Sequence, residues 1–101
     1  MLVHLEKSSD FKGLIEKGLV VVDFFATWCG PCKALGPELE DLALDHKEVT
    51  IVKVDVDQFG ELAAQFRVNA VPTLVYFKDG KQTDISMGYM DKDTVYKHLT
   101  K

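Results

Sequence analysis

Trp28-Cys29-Gly30-Pro31-Cys32-Lys33 holds both cysteines of the chain, two thiols that can close a small ring with each other. The glycine and proline between them suit a tight turn running into a helix. On the N-terminal side, Leu19 to Phe25 is an apolar run rich in β-branched and aromatic residues, the pattern of a buried strand. From Pro31 onward, Leu35, Leu39, Leu42 and Ala43 share one helical face. The cysteines therefore fall between the carboxyl end of a strand and the amino end of a helix, where open α/β sheets place their sites. Free backbone N–H groups and the helix dipole there favour an anion, so Cys29 is favoured as a thiolate. Lys33 adds a smaller, solvent-screened positive charge.

Working outward, Val3 and Leu5 alternate with His4 and Glu6 in a short first strand. Ser8 or Ser9 is positioned to cap a helix whose face is Phe11, Leu14 and Ile15 and which Gly18 ends. Asp23 alone breaks the apolar strand 19–25. Pro37 lies inside the helix that follows the cysteines, removes a hydrogen bond and predicts a kink near Gly36 and Pro37. Thr50 to Asp55 reads as a strand with Lys53 set among Ile51, Val52 and Val54. Asp57 is positioned to cap a short helix that buries Phe59, Leu62, Ala63 and Phe66. A strand over Thr73 to Phe77 and another over Lys81 to Met87 flank Asp79-Gly80, a hairpin signal. Thr83, Ile85 and Met87 alternate with Gln82, Asp84 and Ser86, as on an edge strand with one wet face. Asp91 caps a last helix that packs Val95 and Leu99, with Tyr96 beside them.

The order is thus βαβαβ, a helix, then ββα. The stretch Val22 to Lys33, followed by Pro37 and by Val71-Pro72-Thr73, resembles the thioredoxin family over essentially the whole chain. A bare CxxC is weak. Here it has a preceding Trp, an internal Gly-Pro, an Asp in the strand before it and a distant Val-Pro-Thr. The resemblance implies an α/β thioredoxin fold: a central mixed sheet of about five strands flanked by four helices, in one domain over residues 1–101.

Composition is consistent with this. A chain of 101 residues supports one core, and 47% hydrophobic residues is ordinary for a globular protein. The apolar runs are too short to span a bilayer, and the first residues lack the regions of a signal peptide, so no membrane partner and a cytoplasmic location are expected. A net charge of −4 without a basic stripe argues against nucleic acid. A bridge across a two-residue gap constrains little unfolded chain, so the pair is poorly placed as a structural staple. A metal site would need two further ligands, and His4, His46 and His98 are scattered at unsuitable spacings.

The chemistry read from the pair is dithiol–disulfide exchange. The Cys29 thiolate, expected to be the more exposed, attacks a target disulfide, and Cys32, one turn deeper, releases the reduced target by attacking Cys29. Gly30 and Pro31 offer the thiolate neither a hydrogen bond nor a charge, so the pair favours its disulfide form and works as a reductant. That direction is the family's own and follows from the resemblance. Asp23 has two readings: the resemblance implies a desolvated carboxyl that accepts the Cys32 proton, while the alternative is a structural ion pair with Lys53. The two can coexist, with Lys53 tuning Asp23.

The resemblance also implies a cis Val71–Pro72 bond facing the cysteines, with the Val71 N–H and C=O offered to an extended substrate. Trp28, Gly30, Pro31, Val71, Pro72, Met87, Gly88 and Tyr89 are expected to form an apolar rim around Cys29. The alternative makes Met87 and Trp28 core, and Trp28 is expected to be partly that. Three positions depart from the common pattern: Phe25 stands where a second Trp is frequent, Gly36 where a larger residue is, and Tyr89 where a small one is.

The function implied is a general protein-disulfide reductase, monomeric, with no bound cofactor. A flavin-containing, NADPH-dependent thioredoxin reductase would recharge it. A different class remains open: a binding module that uses the apolar rim, with redox turnover secondary.

Overall fold

The computed structural model describes residues 1–101. Its strands are β1 (Leu2–His4), β2 (Leu19–Phe25), β3 (Val49–Asp55), β4 (Thr73–Lys78) and β5 (Lys81–Met87); its α-helices are α1 (Phe11–Ile15), α2 (Gly30–Asp45), α3 (Gly60–Gln65) and α4 (Lys92–Leu99). They form one five-stranded sheet in the order β1-β3-β2-β4-β5. β1 and β2 run parallel to β3, while β4 runs antiparallel to both β2 and β5. The fold is the expected mixed α/β one.

Alternation along β2 builds two cores. Val20, Val22 and Phe24 join Val52, Val54, Val75 and Phe77 under Phe11 of α1 and Leu62 and Ala63 of α3. Val21 points the other way, into a layer with Ile51, Leu74 and Tyr76 covered by Leu35, Leu39 and Leu42 of α2 and Val95 and Leu99 of α4. Each fully buried Val or Leu contributes roughly 1.5–3 kcal/mol relative to its exposed state. By the same alternation Asp23 belongs to the α2 face, directly opposite Lys53 on β3 and Leu74 on β4. An ionisable residue is thus set into a strand whose five inner residues are all buried.

The local signals differ in how they are realised. Asp91 caps α4, its Oδ1 accepting from the Thr94 N–H at 2.9 Å. At the hairpin tip, Asp79 and Gly80 both have positive φ (51° and 85°), the type I′ geometry that matches strand twist. The tip is tied back to Gly18, whose N–H donates to Asp79 Oδ1 at 2.8 Å. The serines do not cap: Ser8–Asp10 form a 3-10 turn of their own, and Asp10 precedes α1 without a side-chain bond. α1 ends at Ile15, ahead of Gly18, whose positive φ of 72° turns the chain into β2. Asp57 does not cap α3 either, because the chain turns once more and puts Phe59 before Gly60. α2 continues through Pro37 as one helix. No helix is long and apolar enough to cross a membrane.

β5 is an edge strand, but its wet face is the apolar one. Ile85 is 46% and Met87 64% exposed. Asp84 and Ser86 are the partly covered side chains, because α4 and β4 bring them polar partners: His98 Nδ1 lies 2.6 Å from Asp84 Oδ2, and the Tyr76 hydroxyl 2.8 Å from Ser86 Oγ.

Candidate active site

Cys29 is the N-cap of α2, with extended backbone (φ −95°, ψ 117°). Its sulfur accepts the Cys32 N–H at 3.2 Å, one of the donors that a helix start leaves without an intrahelical partner. Pro31 lies in the first turn, where its missing N–H costs nothing. The two cysteines are joined as a disulfide. In this form exposure does not separate them, since Cys29 is 5% and Cys32 4% exposed. The bridge holds both sulfurs in one small cluster with Ala26, packed by Phe25, Val56 and Val71. What separates them is electrostatics: the Cys29 sulfur sits at the positive end of the helix and takes an N–H that would equally hold a thiolate.

Asp23 is fully buried, and no hydrogen-bond donor reaches either carboxylate oxygen. Lys53 Nζ stands 3.8 Å from Oδ2, an ion pair too long for a hydrogen bond. The ammonium also lies 4.7 Å from the centre of the Phe25 ring. Burial pushes the Asp23 carboxyl up to about 6, against the lowering pull of Lys53. Both features expected of Asp23 are therefore present together, a desolvated carboxyl and an ion pair with Lys53.

Around the cysteines, Val71–Pro72 is cis, and the Val71 carbonyl oxygen lies 3.7 Å from the Cys29 sulfur. No hydrogen bond within the chain uses the Val71 N–H. Pro72 is buried, and its carbonyl accepts the Gly88 N–H at 2.8 Å. Met87 pairs with Thr73 across the β4–β5 ladder, which brings Met87 and Gly88 beside the cis bond. Trp28 and Val71 line one groove with Val56, Val68 and Ala70. Gly30 and Pro31 are exposed, and Tyr89 is half exposed.

Trp28 is not part of the core: it is 70% exposed. Its indole N–H donates to Asp57 Oδ2 at 3.0 Å, and the Asp57 N–H in turn donates to Asp55 Oδ1 at 2.9 Å. Asp57 is the site neighbour that sequence reading assigned to a helix cap. Twenty-nine positions separate it from Trp28, and no local pattern links them. No group of three or more His, Cys, Asp and Glu side chains is arranged to hold a metal. His98 stacks on Tyr76 and His46 on Tyr96.

A cysteine pair opening a helix beside a cis-proline loop, above a buried carboxyl, defines a thiol–disulfide oxidoreductase. The thioredoxin family model matches residues 2–101. A thioredoxin of Chlamydia trachomatis is 47% identical over 100 residues, covering 99% of this chain and 98% of that one. Among solved structures, the Fasciola hepatica thioredoxin superposes with a TM-score of 0.87 at 45% identity, covering 96% of this chain and 95% of that chain. The Schistosoma mansoni thioredoxin gives 0.88 at 35%, covering 98% and 93%. The chain belongs to the thioredoxin family and is a disulfide reductase.

Proposed function

We propose that Cys29 is the attacking thiolate and Cys32 the resolving thiol of a general protein-disulfide reductase, with residues 1–101 working as one domain. The observation that carries this assignment is the Cys32 N–H on the Cys29 sulfur at 3.2 Å, at the start of a 16-residue helix. Cys29 attacks the target disulfide, and Cys32 then attacks Cys29, closing the intramolecular bridge and releasing the target as a thiolate. Alkylation of the reduced protein at neutral pH tests the assignment. Cys29 should be labelled faster than an unstructured peptide thiol; labelling of Cys32 first would overturn it.

Asp23 takes the Cys32 proton and Lys53 tunes it; the unpartnered oxygens and the long ion pair support this reading over a structural one. Asp23→Asn should slow release of the mixed disulfide roughly tenfold or more while barely changing its formation. Equal slowing of both steps would contradict the role.

Trp28, Gly30, Pro31, Val71, Pro72, Met87, Gly88 and Tyr89 form the substrate rim. An extended target segment would bond the free Val71 N–H and lay apolar side chains on Trp28 and Met87. The electron source is a flavin- and NADPH-dependent thioredoxin reductase, and the protein itself works as a monomer without a bound cofactor. A dithiol reductant needs a compartment that keeps thiols reduced, which favours the cytoplasm.

A further inference from the structure

The exposed face of β5 is the apolar one, and the strand register shows where that face leads. Met87 lies opposite Thr73, the first residue after the cis bond, and Ile85 lies opposite Val75, two residues farther along β4. Residues i and i+2 of a strand share a face, so Ile85 follows Met87 about 7 Å further along it. Val75 belongs to the core under α1 and α3, but Ile85 and Met87 join neither that core nor its partly buried margin. Ile85 is 46%, Met87 64% and Tyr89 50% exposed. Single apolar side chains on a surface are ordinary, whereas a contiguous row running into a reactive site marks an interaction surface.

Three features define what this row fits. It is continuous, through Met87, with the rim around Cys29. It is also small: Ile85, Met87 and Tyr89 fall far short of the roughly 20–30 residues a side that a stable protein pair uses, so a second copy of this chain would not be held there. A reductase must let its reduced target go, and a contact of this size suits that. Finally, β5 is the last strand of the sheet, yet the Ile85 N–H is already taken by Asp84 Oδ1 at 2.9 Å. A partner at Ile85 is therefore met by the side chain rather than by a further strand pairing.

We propose that Ile85 is a specificity-determining residue that extends the substrate rim past Met87 and takes an apolar side chain of a protein target. This rests on the reading of Met87 as part of the rim. The contact adds no chemical step. It favours targets whose own surface carries an apolar side chain beyond the one that meets Met87, and it does nothing for a disulfide too small to span that distance.

The reduced protein and its variants Ile85→Thr, Ile85→Lys and Met87→Lys are each timed against insulin and against 2-hydroxyethyl disulfide, a neutral compound too short to reach Ile85 from the cysteines. Thr keeps the β-branched shape and Lys is at home on edge strands, so the fold should persist in both Ile85 variants, as urea melts would verify. The second-order rate with insulin should fall roughly fourfold for Ile85→Thr and roughly tenfold for Ile85→Lys, the loss that one or two methylene groups of apolar contact carry. The rate with the small disulfide should not follow. Equal slowing with both disulfides would make the role of Ile85 structural and overturn the proposal. An unchanged insulin rate in both Ile85 variants, while Met87→Lys slows it, would end the rim at Met87 and overturn it as well. If Met87→Lys also leaves insulin reduction unchanged, the reading of the rim itself fails, and the extension with it.

Discussion

At neutral pH the Asp23 carboxylate is ionised although its chain neighbours Val22 and Phe24 and its cross-strand partner Leu74 have no exposed surface. The folded carboxyl titrates at about 6 against an ordinary 3.8, so the native state holds a proton that the unfolded chain has already lost across that window. Native stability therefore falls as pH rises from about 4 to 6, and the full cost is present above 6. At 1.36 kcal/mol per pKa unit the cost is about 3 kcal/mol. Asp23→Asn should accordingly raise stability by about that much at pH 7.5 and by little at pH 4, in paired denaturant titrations. A gain equal at the two pH values would locate the effect elsewhere. That Asp23 is out of place is legible in its own strand; that its oxygens lack partners is not, because it depends on which residues β3 and α2 bring within reach. Trp28 makes the same point from outside the core. It is the only tryptophan, so its emission reports the surroundings of this one side chain. Asp57→Ala should change the emission spectrum and Asp57→Asn, which keeps an acceptor oxygen, should change it less; identical spectra for both would deny the bond to Asp57 in solution.

Between elements, the attachment of α4 to the sheet edge runs partly through polar groups. Asp84 accepts from the Ile85 N–H at 2.9 Å and also meets His98 and Lys101, and these contacts, His98 foremost, hold its carboxyl down to about 2. Its stabilisation is fully present above the ordinary 3.8 and is lost only as pH falls toward about 2. Asp84→Ala should cost about 1–2 kcal/mol at pH 6, as expected for loss of charge-assisted hydrogen bonds. Ile85→Thr should stay within about 0.5 kcal/mol, because nearly half of the residue is already exposed and Thr keeps the β-branched shape. Urea melts of the two variants decide between the faces: a larger loss at Ile85 would put the apolar face inside after all. The alternation on β5 was readable, but which face is covered depends on the arrival of α4, a matter of tertiary placement. By contrast β2, the Asp79-Gly80 turn and the Asp91 cap were readable in full, since each is a local pattern with a local cause. The serine and Asp57 caps failed for the reverse reason: an oxygen at a plausible position caps only if the next turn begins there.

For the molecule as a whole, element order is legible from the chain, whereas the spatial order β1-β3-β2-β4-β5 is set by pairings between strands far apart in sequence. That order makes β2 a central strand and leaves its carboxyl end to deliver the cysteines. It also places the two core layers on sheet faces that do not depend on the bridge, since the cysteines form a separate small cluster at one end. The fold should therefore carry the site rather than be held by it. A link spanning three residues removes on the order of 2 kcal/mol of unfolded-chain entropy by loop closure. Replacing both cysteines by Ser should then leave the far-UV circular dichroism unchanged and lower stability from the oxidised form by no more than about that amount. Insulin reduction should be lost altogether. Collapse of the folded signal would make the bridge structural, and retention of reductase activity would remove the cysteines from the chemistry. The single variant Cys32→Ser separates the steps, because it can begin the exchange but not finish it. It should trap targets on Cys29 as mixed disulfides visible by non-reducing electrophoresis, whereas a module that only binds would hold its partners just as well without either sulfur.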